Sequence, residues 1–456
     1  MMDDAKHVFK ELKKPYFIAL LLIALVPFFP EYFSFVLILG ALIFTHFDIK
    51  SNPRPFRIGT IGKLLMLYCG YMAITCLFSI TPMQSALAVA MWWFFVIGYL
   101  LIVNLLTSQE RVDAFLLCIT VVASVIGLIA CIQYRLSFLV GTNITSIWNW
   151  LDKIVFQWVP FKITLMSYPL RAYATFPNPN MLAQYLVMVA PFVTCFNFIR
   201  RREGLRYFSR VALFLTFAGV LFSFSRGGYL AMLFLAGVLI IINFRRRFAA
   251  VSLYVVSTLL FLPEEVVNRF FTIRTNISNT VQINTSNSIR PGPSSTTTSD
   301  IINNSGEALV GDRWKIWRRT FECIEEKPLF GYGAGTEPSA SLFREVGINS
   351  PHAHNLLFQL MIEGGVVSVI CIASILFAVL YNGYRLMRNG SDSSFWMGFA
   401  TAAFAVCFTI HGVVDYALTT PKLVCCFITL LALCEQAIQL YDSNFIPLRW
   451  LKRKTA

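Results

Sequence analysis

Long, uninterrupted apolar segments are the feature that most restricts how this chain can fold. Runs of roughly 17 to 25 apolar residues recur along it, which is the length that a helix needs to cross a hydrocarbon core of about 30 Å. The core of a water-soluble domain does not need such runs. Only 14% of the 456 residues are charged, whereas a soluble domain carries about 25%. The chain is therefore predicted to be an all-α polytopic membrane protein.

Twelve transmembrane helices are predicted, with ends uncertain by about 2 to 4 residues. They cover residues 16–29, 32–47, 63–80, 84–106, 112–133, 179–199, 208–224, 228–244, 248–262, 355–383, 395–416 and 421–440. The first two are short enough for a tilted or re-entrant pair. The first run also lacks a small-residue cleavage site, so no secretory signal peptide is predicted. No internal repeat is evident, which disfavours an inverted-repeat transporter.

Basic residues cluster between the apolar runs. The clusters comprise Lys6 to Lys14, Lys50 to Lys63, Arg200 to Arg210, Arg245 to Arg247, Arg385 with Arg388, and Arg449 to Lys454. With twelve spans they all fall on one side, which the positive-inside rule makes cytoplasmic, together with both termini. The formal charge of +14 is then explained by orientation in a lipid membrane, and no nucleic-acid partner is predicted. All cysteines but Cys323 lie in or beside apolar runs without a CxxC pair, so neither disulfides nor a metal cluster is expected.

The predicted spans divide the chain into three parts. Residues 1–262 hold spans one to nine with an interfacial outer loop at 134–178. Residues 263–354 form a large extracytoplasmic loop. Residues 355–456 hold spans ten to twelve and a basic cytoplasmic tail.

The large loop is itself predicted to have two halves. Residues 276–304 are rich in Ser, Thr and Asn and are expected to be flexible, whereas 311–335 are expected to be ordered. Within the ordered half, Trp314, Trp317 and Phe321 recur at helical spacing. This spacing predicts an amphipathic helix that lies on the membrane. The glycine-rich residues 331–335 that follow are predicted to form a turn.

Arg226 stands out among the polar residues that this topology places on the outer face. Spans seven and eight are joined so tightly that its guanidinium must lie at or just below the interface. An arginine at a helix centre costs about 2.5–3.5 kcal/mol and less near the interface, so such a residue usually faces a polar cavity. The alternative is a snorkelling anchor to lipid headgroups. The flanking glycines, Gly227 and Gly228, favour a site because they let backbone amides approach an anion.

Arg171 and Arg313 are predicted on the same outer face as Arg226. The planar guanidinium forms bidentate, charge-assisted hydrogen bonds and never deprotonates, so arginines on an outer membrane face suit a diphosphate. The alternative for Arg171 is an ordinary loop charge. The alternative for Arg313 is a helix-terminal residue paired with Asp312.

His354 is predicted to open span ten on this face. A neutral imidazole suits a general base near pH 7, a role worth about 10² to 10⁴ in rate, although a buried structural histidine is the usual alternative. His352, two residues away, would point to another side of a helix, and no nearby Cys or His completes a zinc site. His411 and Asp415, four apart near the end of span eleven, either join this site or pair locally; local pairing is the favoured interpretation.

At these residues the chain resembles the O-antigen ligase and polymerase superfamily of bacterial membrane glycosyltransferases. The resemblance is scattered over residues 60–440. It rests on Arg171 with Phe176 to Asn180, on Ser225 to Gly228, on Arg313 through Gly335, and on the pair His354-Asn355. The ligases carry His followed by Asn, Ser or Gln, then nine residues, Gly, two residues, and Gly, Thr or Tyr. Here the two later positions are Gly365 and Ser368, and the serine departs from the pattern.

The resemblance implies a metal-independent, inverting glycosyltransferase that needs no cofactor. It would act on the outer side of a bacterial cytoplasmic (inner) membrane, in the synthesis of a surface polysaccharide such as lipopolysaccharide O-antigen. The donor would be a glycan on undecaprenyl diphosphate, and the acceptor a glycan or a lipid. His354 would take the acceptor's proton, and Arg171, Arg226 and Arg313 would hold the diphosphate. The residues that are candidates for supporting them are His352, Asn355, His411 and Asp415.

Other functions stay open at the level of the sequence. A ligase attaches a finished glycan to an acceptor, whereas a polymerase joins lipid-linked repeat units, and no residue pattern separates the two. A transporter of an anionic lipid or glycolipid would need charged residues midway along its spans, where Glu363 is the clearest example. A non-catalytic scaffold would leave the concentration of Arg and His on one face unexplained.

Overall fold

The computed structural model describes residues 14–140, 171–199, 203–242, 313–388, 391–416 and 418–442. These residues form 13 helices and no strand. The helices are α1 (Pro15–Ala24), α2 (Phe33–Ser51), α3 (Thr60–Thr75), α4 (Pro82–Leu105), α5 (Gln109–Val140), α6 (Pro179–Ile199), α7 (Glu203–Ser223), α8 (Arg226–Ile242), α9 (Arg313–Glu326), α10 (Thr336–Arg344), α11 (Leu356–Arg388), α12 (Asp392–Gly412) and α13 (Pro421–Tyr441). Short 3₁₀ turns extend α1 and α3.

The all-α polytopic prediction is confirmed. Within the described ranges, nine helices are long and apolar enough to cross a membrane, and α1 with its 3₁₀ turn and α8 are shorter apolar helices. Eleven of the predicted spans thus coincide with a helix, while the predicted span 248–262 and the predicted flexible segment 276–304 lie outside the described residues. Most of the predicted interfacial loop also lies outside them. The division into three parts stays a prediction.

Two predicted helix ends are wrong in a way that affects the site. Span eleven was expected to reach residue 416, but α12 ends at Gly412 and residues 413–416 form a loop. Span ten begins at Leu356, so His354 precedes the helix. Both ends lie where polar residues interrupt the apolar run, and hydrogen bonds between loops replace the helical ones there.

Helices α6 and α13 form the centre of the bundle. Helix α6 packs against α7 and α12, and α13 packs against α4 and α11. Nearly all of the α13 side chains are buried, whereas α2 at the periphery exposes Leu39, Ile43 and Phe47. Such apolar side chains are compatible with exposure only if hydrocarbon surrounds them. Helices α11 and α12 approach closely because Gly383 faces Gly398, where an added Cβ would lie 2.8 Å from a carbonyl oxygen.

The helix ends define two faces. Helices α6, α8, α11 and α13 begin at one face, which we call the candidate-site face. They end at the other, which we call the opposite face. At the opposite face the end of α13 contacts other helix ends, since Gln109 Nε2 donates to the Leu440 carbonyl at 2.7 Å and Arg385 pairs with Asp442 at 2.6 Å. The described basic residues of the clusters lie at this opposite face: Lys14, Lys50, Arg54, Arg57, Lys63, Arg206, Arg210, Arg385 and Arg388.

Helix α11 is broken in its first third. Gly364 and Gly365 have non-helical backbone angles, with φ of 62° at Gly365. The glycine-rich segment 331–335 lies against this break: the Tyr332 N–H donates to the Ile362 carbonyl at 2.7 Å and the Gly333 N–H to the Glu363 carbonyl at 3.0 Å. A Cβ on Gly365 would lie 2.2 Å from the Leu329 carbonyl oxygen, so only glycine fits.

Ser368, three residues after Gly365, bonds with backbone carbonyls before and at the break in α11. Its hydroxyl donates to the Leu360 carbonyl at 2.5 Å and lies 3.0 Å from the Gly365 carbonyl. A threonine would carry the same hydroxyl, whereas glycine would leave these carbonyls without this donor. The spacing of Gly365 and Ser368 after the His-Asn pair therefore has a structural reason in the break of α11.

Helix α9 is amphipathic as its spacing predicts, but the side that it buries is not the aromatic one. Ile316, Thr320 and Cys323 are buried, whereas Trp314 and Phe321 are 38% and 48% exposed. Trp317 lies between these two sides, and its indole N–H donates to the Ala353 carbonyl at 2.9 Å. The helix thus supports the loop that carries His354.

Candidate active site

His354 and Asp415 form the centre of the candidate site. The Nδ1 atom of His354 lies 2.9 Å from Oδ1 of Asp415, and 27% of the histidine side chain is exposed against 12% of the aspartate. An ionised carboxylate only accepts hydrogen bonds, so Nδ1 carries the proton in this pair and Nε2 of the neutral ring keeps its lone pair. Burial alone would raise the pKa of Asp415, but the hydrogen bond from His354 lowers it below its usual range.

Asp415 also joins the candidate site to Arg171. Its Oδ2 accepts a hydrogen bond from Nδ2 of Asn180 at 2.7 Å, and Oδ1 of Asn180 accepts one from Nη2 of Arg171 at 3.0 Å. The Nε atom of Arg171 donates to the Ser223 carbonyl at 3.0 Å. The chain Arg171–Asn180–Asp415–His354 therefore connects the segment before α6 with the segments before α11 and α13.

Arg226 and Arg313 lie beside this chain. Arg226 is the first residue of α8 and is exposed. Nη1 of Arg313, at the start of α9, donates to the Val414 carbonyl at 2.8 Å. Burial lowers the pKa of Arg313, the charge of Asp415 raises it, and the charge of Arg226 lowers it again. The two guanidiniums therefore lie near enough for their charges to interact.

The glycines beside Arg226 allow close packing at the start of α8. Whether they also let backbone amides approach an anion stays a prediction. Both are buried, and a Cβ on Gly227 would lie 3.3 Å from the ring of His411, while one on Gly228 would lie 2.9 Å from Val220. They allow the start of α8 to pack against α12 and α7, and this packing positions the exposed guanidinium.

The histidines at 352 and 354 are brought together rather than apart. Their segment is not helical, and the two rings contact edge to face with centroids 4.2 Å apart. Nδ1 of His352 accepts the His354 backbone N–H at 3.2 Å. Burial lowers the pKa of His352 to about 4, and the charge of Arg313 acts in the same direction, although Asp415 opposes this. His352 is therefore a neutral support under the exposed ring of His354.

His352, His354 and Asp415 also offer three metal-ligating atoms that lie within 4.8 Å of one another. In this arrangement the Nδ1 atoms of both histidines are engaged in hydrogen bonds, one with Asp415 and one with a backbone N–H. A metal would bind through the Nε2 atoms or displace these contacts at Nδ1. The absence of a metal from the reaction stays a prediction with a direct test, given in the Discussion.

His411 and Asp415 do not share a helix face, because α12 ends between them. Asp415 instead bonds with His354 and Asn180 across the site. His411 is buried, and its Nε2 lies 3.4 Å from the Ser225 hydroxyl, next to the start of α8. The favoured interpretation of local pairing between them therefore does not describe Asp415, and His411 contacts the helix that carries Arg226.

Asn355 holds the start of α11 in place. Its Nδ2 donates to the Val413 carbonyl at 2.9 Å, and its Oδ1 accepts the Phe358 N–H at 3.1 Å, the arrangement of a helix N-cap. The asparagine that follows the histidine thus fixes the 413–416 loop to the helix end beside the candidate base.

A second polar chain lies beneath the site. Oε1 of Glu363, in the broken part of α11, accepts hydrogen bonds from Tyr416 at 3.0 Å and Gln359 at 2.9 Å. Oε1 of Gln359 accepts the Ala353 N–H at 2.9 Å. This chain fixes the residues on either side of the His354–Asp415 pair.

The backbone is strained at three places in the described ranges, and all three lie at the candidate site. The non-glycine residues with positive φ are Ala174 (47°), Phe224 (54°) and His354 (50°). Ala174 lies three residues after Arg171, and Phe224 two residues before Arg226. Such conformations cost about 1–3 kcal/mol each and cluster where function requires a fixed geometry.

Several residues of this site were missed by the sequence analysis. Asn180 lies within the Phe176 to Asn180 motif but was given no role, although it bridges Arg171 and Asp415. Tyr416 and Gln359 are single polar residues near helix ends, and no sequence pattern marks them as part of a site. Their contacts join residues far apart in the chain, which a local pattern does not encode.

The fold and this site define a class: a polytopic membrane protein with a histidine–carboxylate pair and arginines at one face. Residues 211–373 match the family model described as O-antigen ligase, which supports membership of the O-antigen ligase and polymerase superfamily and confirms the resemblance. The match supports an enzyme of ligase or polymerase type in surface polysaccharide biosynthesis. It includes Arg226, Arg313 and His354, while Arg171 and Asp415 lie outside it. No curated protein matches the chain significantly.

Proposed function

We propose that the protein transfers a glycan from undecaprenyl diphosphate to an acceptor hydroxyl on the outer side of a bacterial cytoplasmic membrane. The observation that carries this proposal is the His354–Asp415 hydrogen bond, with an accessible histidine ring beside the charges of Arg226 and Arg313. A base next to a group of cations is the arrangement that deprotonates a nucleophile while an anionic group departs.

The proton step uses the two nitrogens of His354 differently. Nε2 takes the proton from the acceptor hydroxyl as that oxygen bonds to the anomeric carbon. Nδ1–H stays bound to Asp415, whose negative charge stabilises the imidazolium that forms. Attack from the side opposite the leaving group inverts the anomeric centre, and no metal or cofactor takes part.

The diphosphate is the leaving group of this step. As the bond between the anomeric carbon and the phosphate oxygen breaks, its electron pair stays with the diphosphate. Arg226, Arg313 and Arg171 stabilise the developing charge by bidentate, charge-assisted hydrogen bonds. Arg226 suits this role best because its side chain is exposed and no ion pair with the described residues engages it.

The acceptor decides between two forms of the function. We favour a ligase, which attaches the glycan to a separate acceptor such as a lipopolysaccharide core. A polymerase would use a second lipid-linked repeat unit as acceptor. Both need the same base and the same diphosphate site.

A transporter of anionic lipids is disfavoured by the environment of Glu363. Its carboxylate is 2% exposed and bonds with Gln359 and Tyr416. A charge on a transport path would instead face a polar cavity. Glu363 acts as a support for the site.

The test is transfer by the purified full-length protein in detergent, with an undecaprenyl-diphosphate glycan as donor. We expect His354→Ala to lower transfer by about 10² to 10⁴ while the melting temperature stays close to that of the wild type. His46→Ala is the matched control, since His46 is exposed on α2 and far from the site in the chain.

Near-normal transfer by His354→Ala would overturn the proposed base. Assays with donor alone and with donor plus acceptor separate the two forms of the function. Product growth from donor alone indicates a polymerase, and transfer only in the presence of a separate acceptor indicates a ligase.

A further inference from the structure

A second group of arginines lines a cleft at the opposite face. The cleft has a volume of about 300 Å³, the lower end of the range for small-ligand pockets. Arg54, Arg57 and Arg111 line it, together with Asn104 and Thr107. It belongs to the short connections between α2 and α3 and between α4 and α5, and no part of the candidate active site contributes to it.

The cleft lies far from the candidate site. Helix α13 begins six residues after Asp415 and, near its other end, Gln439 lies 3.4 Å from Nη1 of Arg57. A helix of 21 residues spans about 30 Å at 1.5 Å per residue. A ligand in this cleft would therefore be separated from His354 by about the thickness of the hydrocarbon layer.

The backbone around Arg57 is held in place. The buried Asn104 accepts the Arg57 N–H through Oδ1 at 2.8 Å and donates from Nδ2 to the Arg57 carbonyl at 2.9 Å. Pro53 and Pro55 flank Arg54 and restrict the same loop. The guanidiniums of this cleft are thus presented by a rigid segment, which lowers the entropy lost when a ligand binds.

The cleft keeps an excess of positive charge. Asp48 binds Arg54 at 2.5 Å and Arg111 at 2.9 Å, so one carboxylate neutralises one of the two guanidiniums, and Arg57 adds a further charge. The Nε atom of Arg54 is buried and has no hydrogen-bond partner in the described part of the chain. Such a donor is unfavourable unless a ligand or water accepts from it.

We propose that this cleft binds a phosphate group, held by Arg57 and Arg54 with Arg111 behind them. A phosphate accepts the bidentate hydrogen bonds that guanidiniums offer. The surroundings favour a membrane lipid as the source of that phosphate. Phe56, between the two prolines and Arg57, is 65% exposed, and Phe47 on α2 is 50% exposed. Acyl chains would contact these rings while the headgroup occupies the cleft.

The test measures thermal unfolding of the full-length protein in detergent with three probes. Dioctanoyl phosphatidic acid carries a lipid phosphate, dioctanoylglycerol carries the same chains without phosphate, and inorganic phosphate carries the anion alone. We expect the phosphatidic acid to raise the melting temperature saturably. In Arg57→Gln we expect about tenfold weaker apparent binding, because a charge-assisted hydrogen bond is lost.

Arg206→Gln is the matched control, since Arg206 is an exposed arginine on the same face and outside the cleft. The melting temperature of this variant should respond to phosphatidic acid as that of the wild type does. The melting temperature of Arg57→Gln without ligand reports whether that variant is folded. A response to inorganic phosphate at similar concentrations, also weakened in Arg57→Gln, would support the site with free phosphate as its source. An equal response to dioctanoylglycerol, an equal response of Arg57→Gln, or no response to either phosphate would overturn the proposal.

Discussion

The arginines of the two faces differ in what holds them. At the opposite face, Arg54 and Arg111 share the carboxylate of Asp48, which is almost completely buried. At the candidate site, Arg313 bonds with a backbone carbonyl, and Arg226 makes no ion pair within the described ranges. The nearby carboxylate of Asp415 is engaged by His354 and Asn180 instead.

This difference separates two uses of the same side chain. The Asp48 cluster joins α2 to the start of α5, so most of its charge stabilises the fold. At the candidate site, burial lowers the pKa of Arg313, and the charge of Arg226 lowers it further. Such an arrangement is unfavourable until an anion arrives. Substitutions at the candidate site should therefore change catalysis, and substitutions in the Asp48 cluster should change stability.

The largest effect is expected at the carboxylate of the site. Asp415→Asn removes the charge that stabilises the imidazolium, so we expect transfer to fall by about 10² to 10⁴. Steady-state glycan transfer measures this. Asp442→Asn is the control, because Asp442 is a buried carboxylate that pairs with Arg385 at the opposite face. Equal losses of transfer in Asp415→Asn and Asp442→Asn would contradict the comparison, because a carboxylate at the opposite face would then matter as much for catalysis as the one at the candidate site.

The next effect is expected at Arg226. In Arg226→Gln we expect kcat/KM to fall by about 10² to 10³, the loss seen when one donor to a developing anion is removed. Arg226→Lys should restore only part of it, because the bidentate geometry is lost. The melting temperature should hardly change, since the side chain is exposed. Unchanged transfer in both variants would indicate a snorkelling anchor.

The third effect is expected at Asp48, and it is a loss of stability rather than of transfer. Asp48→Asn leaves Arg54 and Arg111 without their carboxylate, so the free energy of unfolding should fall by about 3 kcal/mol. Transfer per folded molecule should stay at the wild-type level. Chemical denaturation and an activity assay on the same sample test both parts, and a selective loss of transfer would contradict the comparison.

The smallest effect is expected from removal of metal ions. Treatment with excess chelator should leave transfer unchanged, because in the proposed reaction Nε2 of His354 acts as the base and guanidiniums stabilise the diphosphate. Transfer before and after dialysis measures this. If the chelator abolished activity and a divalent ion restored it, His352, His354 and Asp415 would be metal ligands. The positive charges of the site would then include a metal ion beside the arginines.

The sequence predicted the helices well because membrane crossing imposes a length and an apolar composition on each of them. It also predicted that Arg226 lies at a helix junction, since the two spans leave almost no loop. It did not predict the partners of these residues. Asp415 is 61 residues from His354 and 235 from Asn180 along the chain, and the pairing depends on where α12 ends. The break in α11 depends on a contact with the glycine-rich segment, which no periodicity encodes.

The left-handed backbone at residues 174, 224 and 354 has a consequence for engineering. A thermostabilisation screen would select glycine at the first two positions, because glycine adopts this conformation without the cost of about 1 kcal/mol that a side chain adds. The gain would come from the segments that hold Arg171 and Arg226, whose fixed geometry suits the bound anion. More heat-resistant variants of this protein should then be slower ones, and this trade-off would be concentrated in two short segments of the chain.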